Sequence, residues 1–279
     1  MTRQTLSEAL LLTETGGGGW TARLDGGFSN GPQSLPQARG APFGGLMAAL
    51  AAGAMRQGLG IETPLQTLTV QYLAAARFED AVFTPTLNRG GRNVAYASVT
   101  GGQGDRVAVQ ALGTYGRDVA GPVLTPMVAS PPPLADLEST PLDPGFGPWF
   151  TRHIEHRFVD GPKLSGENAD RTPELGCWMR TPDGAPLDEA RMLFLLDGLY
   201  PTYFTAFAMP PTVSASVDLR ADLLTELTPD TSPEGWAYFH FTSRDVGGGW
   251  AVEDGVAHAP DGRPLALVRQ RRKLMPTRG

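Results

Sequence analysis

The sequence predicts an α+β fold in which an apolar helix is wrapped by an antiparallel sheet, with that unit present twice. Three observations carry this. Pro42–Gly58 is rich in alanine, and no charge falls between Ala41 and Met55. Short alternating strand candidates, separated by turn residues, follow it. Beyond a proline-rich interval the same order returns.

Alanine is the best helix former, and the larger side chains are only Pro42, Phe43, Leu46, Met47, Leu50 and Met55. A helix apolar on every side is buried all round. It is too short to span a bilayer, which needs about 20 apolar residues. A curved sheet is the simplest wrapping. Glycines at its start leave the first amides accessible, and helix N-termini attract negative charge.

Composition narrows the classes. The 279 residues are 41% hydrophobic and 19% charged, enough for a sizeable core. A net charge of −6 argues against a nucleic-acid partner, which calls for a basic face. A single cysteine, Cys177, excludes an internal disulfide framework and fits a reducing compartment. The first 20 residues lack a basic start and an apolar core, so a cytoplasmic protein is expected. No run reaches membrane-spanning length.

Along the chain, Thr5–Leu12 is expected as a leading helix that stops at Gly16–Gly19. Trp20–Leu24 alternates as a strand, and Ser29–Ala41 reads as loop. After the helix, strands are expected at Leu65–Ala76, Ala81–Leu87, Asn93–Thr100 and Arg106–Tyr115. Prolines crowd Arg117–Pro148, which reads as a stiff connector. The boundaries follow: a first domain over 1–116, a connector over 117–148 and a second domain over 149–279.

The second half begins with a strand at Phe150–Val159, a turn at Asp160–Pro162 and a loop at Leu164–Arg171. Glu174–Arg180 is a strand, and Asp188 caps a second apolar helix, Glu189–Tyr200, ended or kinked at Pro201. Strands are expected at Thr212–Leu224, Trp236–Ser243, Gly249–Ala257 and Arg263–Leu274. The turn Ala259–Arg263 matches Gly101–Arg106 in position, so the repeat is a duplication rather than a solenoid.

A wrapped helix present twice resembles the double hotdog fold, and three motifs sharpen the likeness. Phe43-Gly-Gly45 looks like the helix opening of acyl-CoA thioesterase II. Ser216-Val-Asp218-Leu looks like the strand bearing that family's catalytic aspartate, and Val268-Arg-Gln270-Arg like the segment bearing its glutamine. Phe241-Thr242-Ser243 falls where the family keeps a threonine. The chain departs from the pattern at Leu219-Arg-Ala-Asp222 and in the glycine-rich Val246–Gly249.

The resemblance implies hydrolysis of an acyl-CoA thioester to free acid and coenzyme A, as in fatty acid metabolism, with no cofactor. In it Asp218 is the base, while Thr242 and Gln270 fix the water and the carboxylate. Gly44 and Gly45 would offer amides to the oxyanion, or else serve close helix packing. The halves would pair through their sheets within one chain, and a further homodimer is compatible with that. The alternative is a hotdog scaffold that binds acyl-CoA without turnover.

The residues themselves keep other readings open. The first-half counterpart strand, Leu65–Ala76, has no carboxylate, which sets Asp218 apart. Asp197, on the expected second helix among Phe194, Leu195, Leu196 and Leu199, is a rival base, because a buried aspartate must find partners. Thr242 and Ser243 are adjacent on a strand, so only one of them faces a site. Gly27-Phe-Ser29-Asn-Gly31 matches a serine-hydrolase elbow, but Pro32 and Pro36 follow where a helix must begin. His153 and His156 would point to opposite faces of a strand, so no metal site is expected there.

Overall fold

The computed structural model describes residues 4–122, 124, 130–145, 147–159, 173–206 and 212–276. The chain opens with α1 (Leu6–Ala9), closed by a capping box between Thr5 and Glu8. It is shorter than expected, and β1 (Thr13–Thr15) follows, pairing with β2 (Gly19–Arg23) across the glycine run. That run is a hairpin loop rather than a helix stop, because α1 already ends at Ala9.

Next comes α2 (Gly44–Leu59). Leu46, Ala48, Leu50 and Met55 on it have no exposed surface, as a helix without a polar face requires. Gly60 ends it in the left-handed region, φ 60°, and donates its N–H to Arg56 and Gln57.

The strands β3 (Leu65–Tyr72), β4 (Asp80–Arg89), β5 (Val94–Gln103) and β6 (Arg106–Gly116) form the rest of the first half. The β5–β6 turn is tighter than expected: Gln103 pairs with Arg106, leaving Gly104 and Asp105 as the loop.

In the second half, Trp149–His153 is a 3₁₀ turn, and only Glu155–Phe158 (β7) is strand. Pro148 starts the turn, and Thr151 bonds back to its carbonyl through Oγ1 at 2.7 Å, a local bond that competes with extended backbone. The expected turn Asp160–Pro162 and loop Leu164–Arg171 lie outside the described residues. Then come β8 (Glu174–Arg180) and α3 (Glu189–Leu195), capped by Asp188, whose side chain accepts from the Arg191 amide at 2.7 Å.

The second helix therefore ends earlier than Tyr200. The Gly198 amide turns back onto the Leu195 carbonyl at 2.8 Å, so Leu196 and Asp197 form a turn rather than a further helical stretch. The remaining strands are β9 (Thr212–Leu223), β10 (Ala237–Gly247), β11 (Trp250–His258) and β12 (Pro264–Pro276).

Among the described residues, twelve strands join one antiparallel sheet in the order β1-β2-β4-β5-β6-β3-β9-β12-β11-β10-β8-β7. Outward from the β3–β9 seam both halves run alike: third, sixth, fifth, fourth, second and first strand. Thr67 Oγ1 donates to Asp222 Oδ1 at 2.8 Å across that seam. The helices α2 and α3 pack together, and Arg56 on one meets Glu189 on the other at 2.5 Å. This packing brings the start of α2 to the turn after α3.

Candidate active site

The turn after α3 carries Asp197, which is 7% exposed. Gln270 on β12 is 1% exposed and donates Nε2–H to Asp197 Oδ1 at 2.6 Å and to Ser216 Oγ at 2.7 Å. The backbone amide of Gly45, in the first turn of α2, also bonds to the Asp197 carboxylate. A first-turn amide has no partner inside its helix, and the positive end of the helix dipole favours an anion. Residues from both halves of the chain therefore meet at one carboxylate.

Behind Gln270 lies a buried ionic group. Arg272 donates Nη2–H to Gln270 Oε1 at 2.5 Å, Nε–H to Glu253 Oε1 at 2.8 Å and Nη1–H to Ser216 Oγ at 3.1 Å. Its guanidinium also lies 3.6 Å from Asp197 Oδ1. Glu253 Oε2 accepts from the Thr202 amide at 3.1 Å and the Thr202 hydroxyl at 3.2 Å. That hydroxyl is 2.7 Å from Ser243 Oγ. A buried charge must be paired and hydrogen-bonded, and this group meets that condition.

Burial raises the Asp197 carboxyl above the ordinary aspartate range, and Glu253 adds to this, while Arg272, Gln270 and the Gly45 amide oppose it. The balance leaves a carboxyl that is readier to hold a proton than a surface aspartate. Burial acting on Arg272 alone would lower its pKa; Glu253 and Asp197 outweigh that and keep it charged. The Tyr72 phenol is raised well above its usual value by burial and by the Asp197 charge, and it donates to the Gly44 carbonyl at 3.1 Å.

Of the residues singled out in the sequence, the structure gathers Gln270, Gly44, Gly45 and Asp197. It does not bring Asp218 or Thr242 to them. Asp218 pairs across the sheet with exposed Arg271 on one side and Gln71 on the other. Directly opposed residues share a face, so Asp218 lies on the side away from buried Gln270 and Arg272. A bulge at Val217 explains the shift: Arg271 faces Asp218, yet Arg272 faces Ser216, so Ser216 rather than Asp218 turns to the site side.

Thr242 pairs with Asp254 and Glu174 on the outer face. Its neighbour Ser243 faces inward, onto Thr202. Gly45 offers its amide to Asp197 here, and Gly44 leaves room for the same carboxylate.

The remaining motifs lie elsewhere. Ser29 Oγ donates to the Gln37 carbonyl at 2.8 Å and accepts from the Gly31 amide at 3.1 Å, inside a loop that runs on to a 3₁₀ turn at Gln37–Arg39 instead of leading directly into a helix. His153 stacks on Phe28, and buried His156 sits 3.4 Å from the Gly198 carbonyl. Among the described residues, no group of three or more His, Cys, Asp or Glu is placed to hold a metal ion. Sequence reasoning missed Arg272, Glu253, Thr202 and Ser216. Glu253 and Arg272 sit in alternation on strands as charged residues on inward positions, which was the available signal.

No helix among the described residues is long and apolar enough to cross a membrane. No curated protein matches the chain. Solved structures resemble it over nearly its whole length. A hotdog-fold protein from Alicyclobacillus acidocaldarius aligns with a TM-score of 0.86 at 19% identity, covering 99% of this chain and 100% of that one. An acyl-CoA thioesterase II from Mycobacterium marinum aligns at 0.75 and 17%, covering 98% of each. The dehydratase domain of PpsC from Mycobacterium tuberculosis, in complex with C12:1-CoA, aligns at 0.59 and 14%, covering 98% and 100%. These likenesses establish the hotdog fold. The acyl-CoA thioesterase N-terminal domain matches residues 32–116 and the C-terminal domain matches residues 130–271, so the chain belongs to the acyl-CoA thioesterase family.

Proposed function

We propose that the chain is a double hotdog enzyme that hydrolyses an acyl-CoA thioester to a carboxylic acid and coenzyme A. Its units are 1–116 and 149–279, joined by 117–148. One observation carries the reading: Asp197, nearly buried, is held 2.6 Å from Gln270 at the N-terminus of α2. In this reading Asp197 replaces Asp218 as the base, and the hydroxyl of Ser216, bonded to Gln270 at 2.7 Å, stands where that of Thr242 was expected.

The chemistry follows from that placement. A water bonded to the Asp197 carboxylate attacks the thioester carbonyl carbon, and Asp197 takes its proton. The oxyanion that develops lies at the positive end of α2, where the Gly44 amide is the donor not engaged by Asp197. Collapse of the tetrahedral intermediate breaks the C–S bond, and the proton on Asp197 passes to the departing thiolate. A placed base contributes about 10²–10⁴-fold. Gln270 holds the carboxylate during both transfers.

The test is thiol release from a panel of acyl-CoA esters with wild type, Asp197→Asn, Asp218→Asn and Ser29→Ala. The expected result is loss of turnover by about 10²-fold or more in Asp197→Asn alone. Undiminished turnover in folded Asp197→Asn would overturn the assignment, and loss in Asp218→Asn would return the role to that residue. Binding of acyl-CoA without thiol release from any chain length would favour the scaffold.

A further inference from the structure

Gln270 has an amide that could face either way, and its neighbours decide which. Its Nε2 meets two oxygens, Asp197 Oδ1 at 2.6 Å and Ser216 Oγ at 2.7 Å. Its Oε1 meets Arg272 Nη2 at 2.5 Å. A guanidinium has donors and no acceptor, so it accepts only the oxygen end of that amide. If the amide were turned over, NH₂ would face a cation and the oxygen would face a carboxylate. Both contacts would be repulsive.

Arg272 is in turn immobilised. Glu253 takes its Nε–H at 2.8 Å, and the other oxygen of Glu253 is tied to Thr202. Thr202 lies on the same connection as Asp197, five residues further on. The pair Arg272–Glu253 thus braces β12 and β11 against the loop that carries the carboxylate.

We propose that Arg272, held by Glu253, is a positioning residue that fixes the Gln270 amide toward Asp197 and keeps that carboxylate in its ionised arrangement. The role rests on the hydrolysis reading above, in which Asp197 is the base. Arg272 acts through Gln270 and through its charge, 3.6 Å from Asp197 Oδ1. The charged and titratable groups around Asp197 are Arg272 from β12, Glu253 from β11 and Tyr72 from β3, with the Gly45 amide from α2. Arg272 is the one cation among them.

The test uses the full chain with carbon-13 carboxyl-labelled aspartate, the Asp197 signal being assigned by its loss in Asp197→Asn. Its titration is followed by NMR in wild type, Arg272→Lys, Arg272→Met and the double variant Arg272→Met/Glu253→Gln. The double variant leaves no unpaired buried carboxylate at Glu253, so it keeps the test available if Arg272→Met fails to fold. The pH profile of kcat for thiol release is measured beside it.

In Arg272→Met or the double variant, the Asp197 titration and the acid limb of kcat should both move to higher pH. Turnover should fall about ten- to a hundredfold, the scale of a misplaced catalytic group, with KM changed less. Arg272→Lys keeps the charge but loses the planar fork, so it should restore the titration and not the full turnover. An unmoved titration and acid limb in the folded variants would overturn the proposal while leaving hydrolysis by Asp197 standing. Turnover that survives Asp197→Asn would remove Asp197 as the base, and the NMR titration would still measure the hold of Arg272 on Asp197.

Discussion

Gly44 has no side chain because Asp197 occupies the space for one. A Cβ built on Gly44 would lie 2.7 Å from Asp197 Oδ2 and 3.2 Å from the Tyr72 ring. The glycine at the start of α2 therefore serves the carboxylate directly, from the other half of the chain.

That contact separates two substitutions. Gly44→Ala would press on the movable carboxylate, so turnover should fall more than stability does. Gly45→Ala would meet the Phe194 carbonyl at 2.5 Å, and backbone yields less than a side chain. Its cost should appear in stability, about 1–3 kcal/mol for an overpacked site. Thermal melts beside kcat for both variants check the division.

The pH dependence of turnover follows from the raised Asp197 carboxyl. A base works only when ionised, so activity should fall as pH drops through a value above the ordinary aspartate value of about 3.9. Stability moves the other way. The folded chain holds this proton more tightly than the unfolded chain, so the contribution is present below the unfolded value. It is lost as pH rises through the folded value. Asp197→Asn should remove both effects, read from kcat/KM and from urea midpoints across pH.

His156 gives a separate acid limb to stability. Burial lowers its pKa from 6.5 to about 4, against the pull of the Gly198 and Ile154 carbonyls. The neutral ring suits the fold, so its contribution is complete above 6.5 and is lost as pH falls toward 4. The difference corresponds to about 3 kcal/mol. His156→Gln should flatten the fall in melting temperature across that interval, without moving the acid limb of kcat.

Ser29 is a loop fastener in this structure, with Gln37 and Gly31 as its partners. Ser29→Ala takes this partner from the buried Gly31 amide, while the Gln37 carbonyl keeps the Gly40 amide at 3.1 Å, and the loss should cost about 1–3 kcal/mol. Turnover per folded molecule should be unchanged. A loss of kcat in a folded Ser29→Ala protein would revive the serine-hydrolase reading.

Local chemistry made much of the fold legible. Alanine content and missing charge marked α2, Asp188 marked the start of α3, and β8 fell where its alternation placed it. The repeated order appears in the strand sequence on either side of the β3–β9 seam. Ends were harder. The turn at Gly198 shortens α3 through a backbone bond, and Thr151 replaces part of a strand by bonding to Pro148. Such bonds depend on conformation, and alternation does not record them.

Through its resemblance to a known family, the sequence by itself pointed to a carboxylate, Gln270 and a glycine-led helix as parts of one site. Which carboxylate stands beside Gln270 was decided by tertiary structure. A single bulge at Val217 turns Ser216 toward Gln270 and leaves Asp218 beside Arg271, because one extra residue reverses which side chains face inward. Packing of α2 on α3 then brings Asp197 to Gly44 and Gly45. Spacing along the chain cannot carry that meeting, since Gln270 and Asp197 stand 73 residues apart.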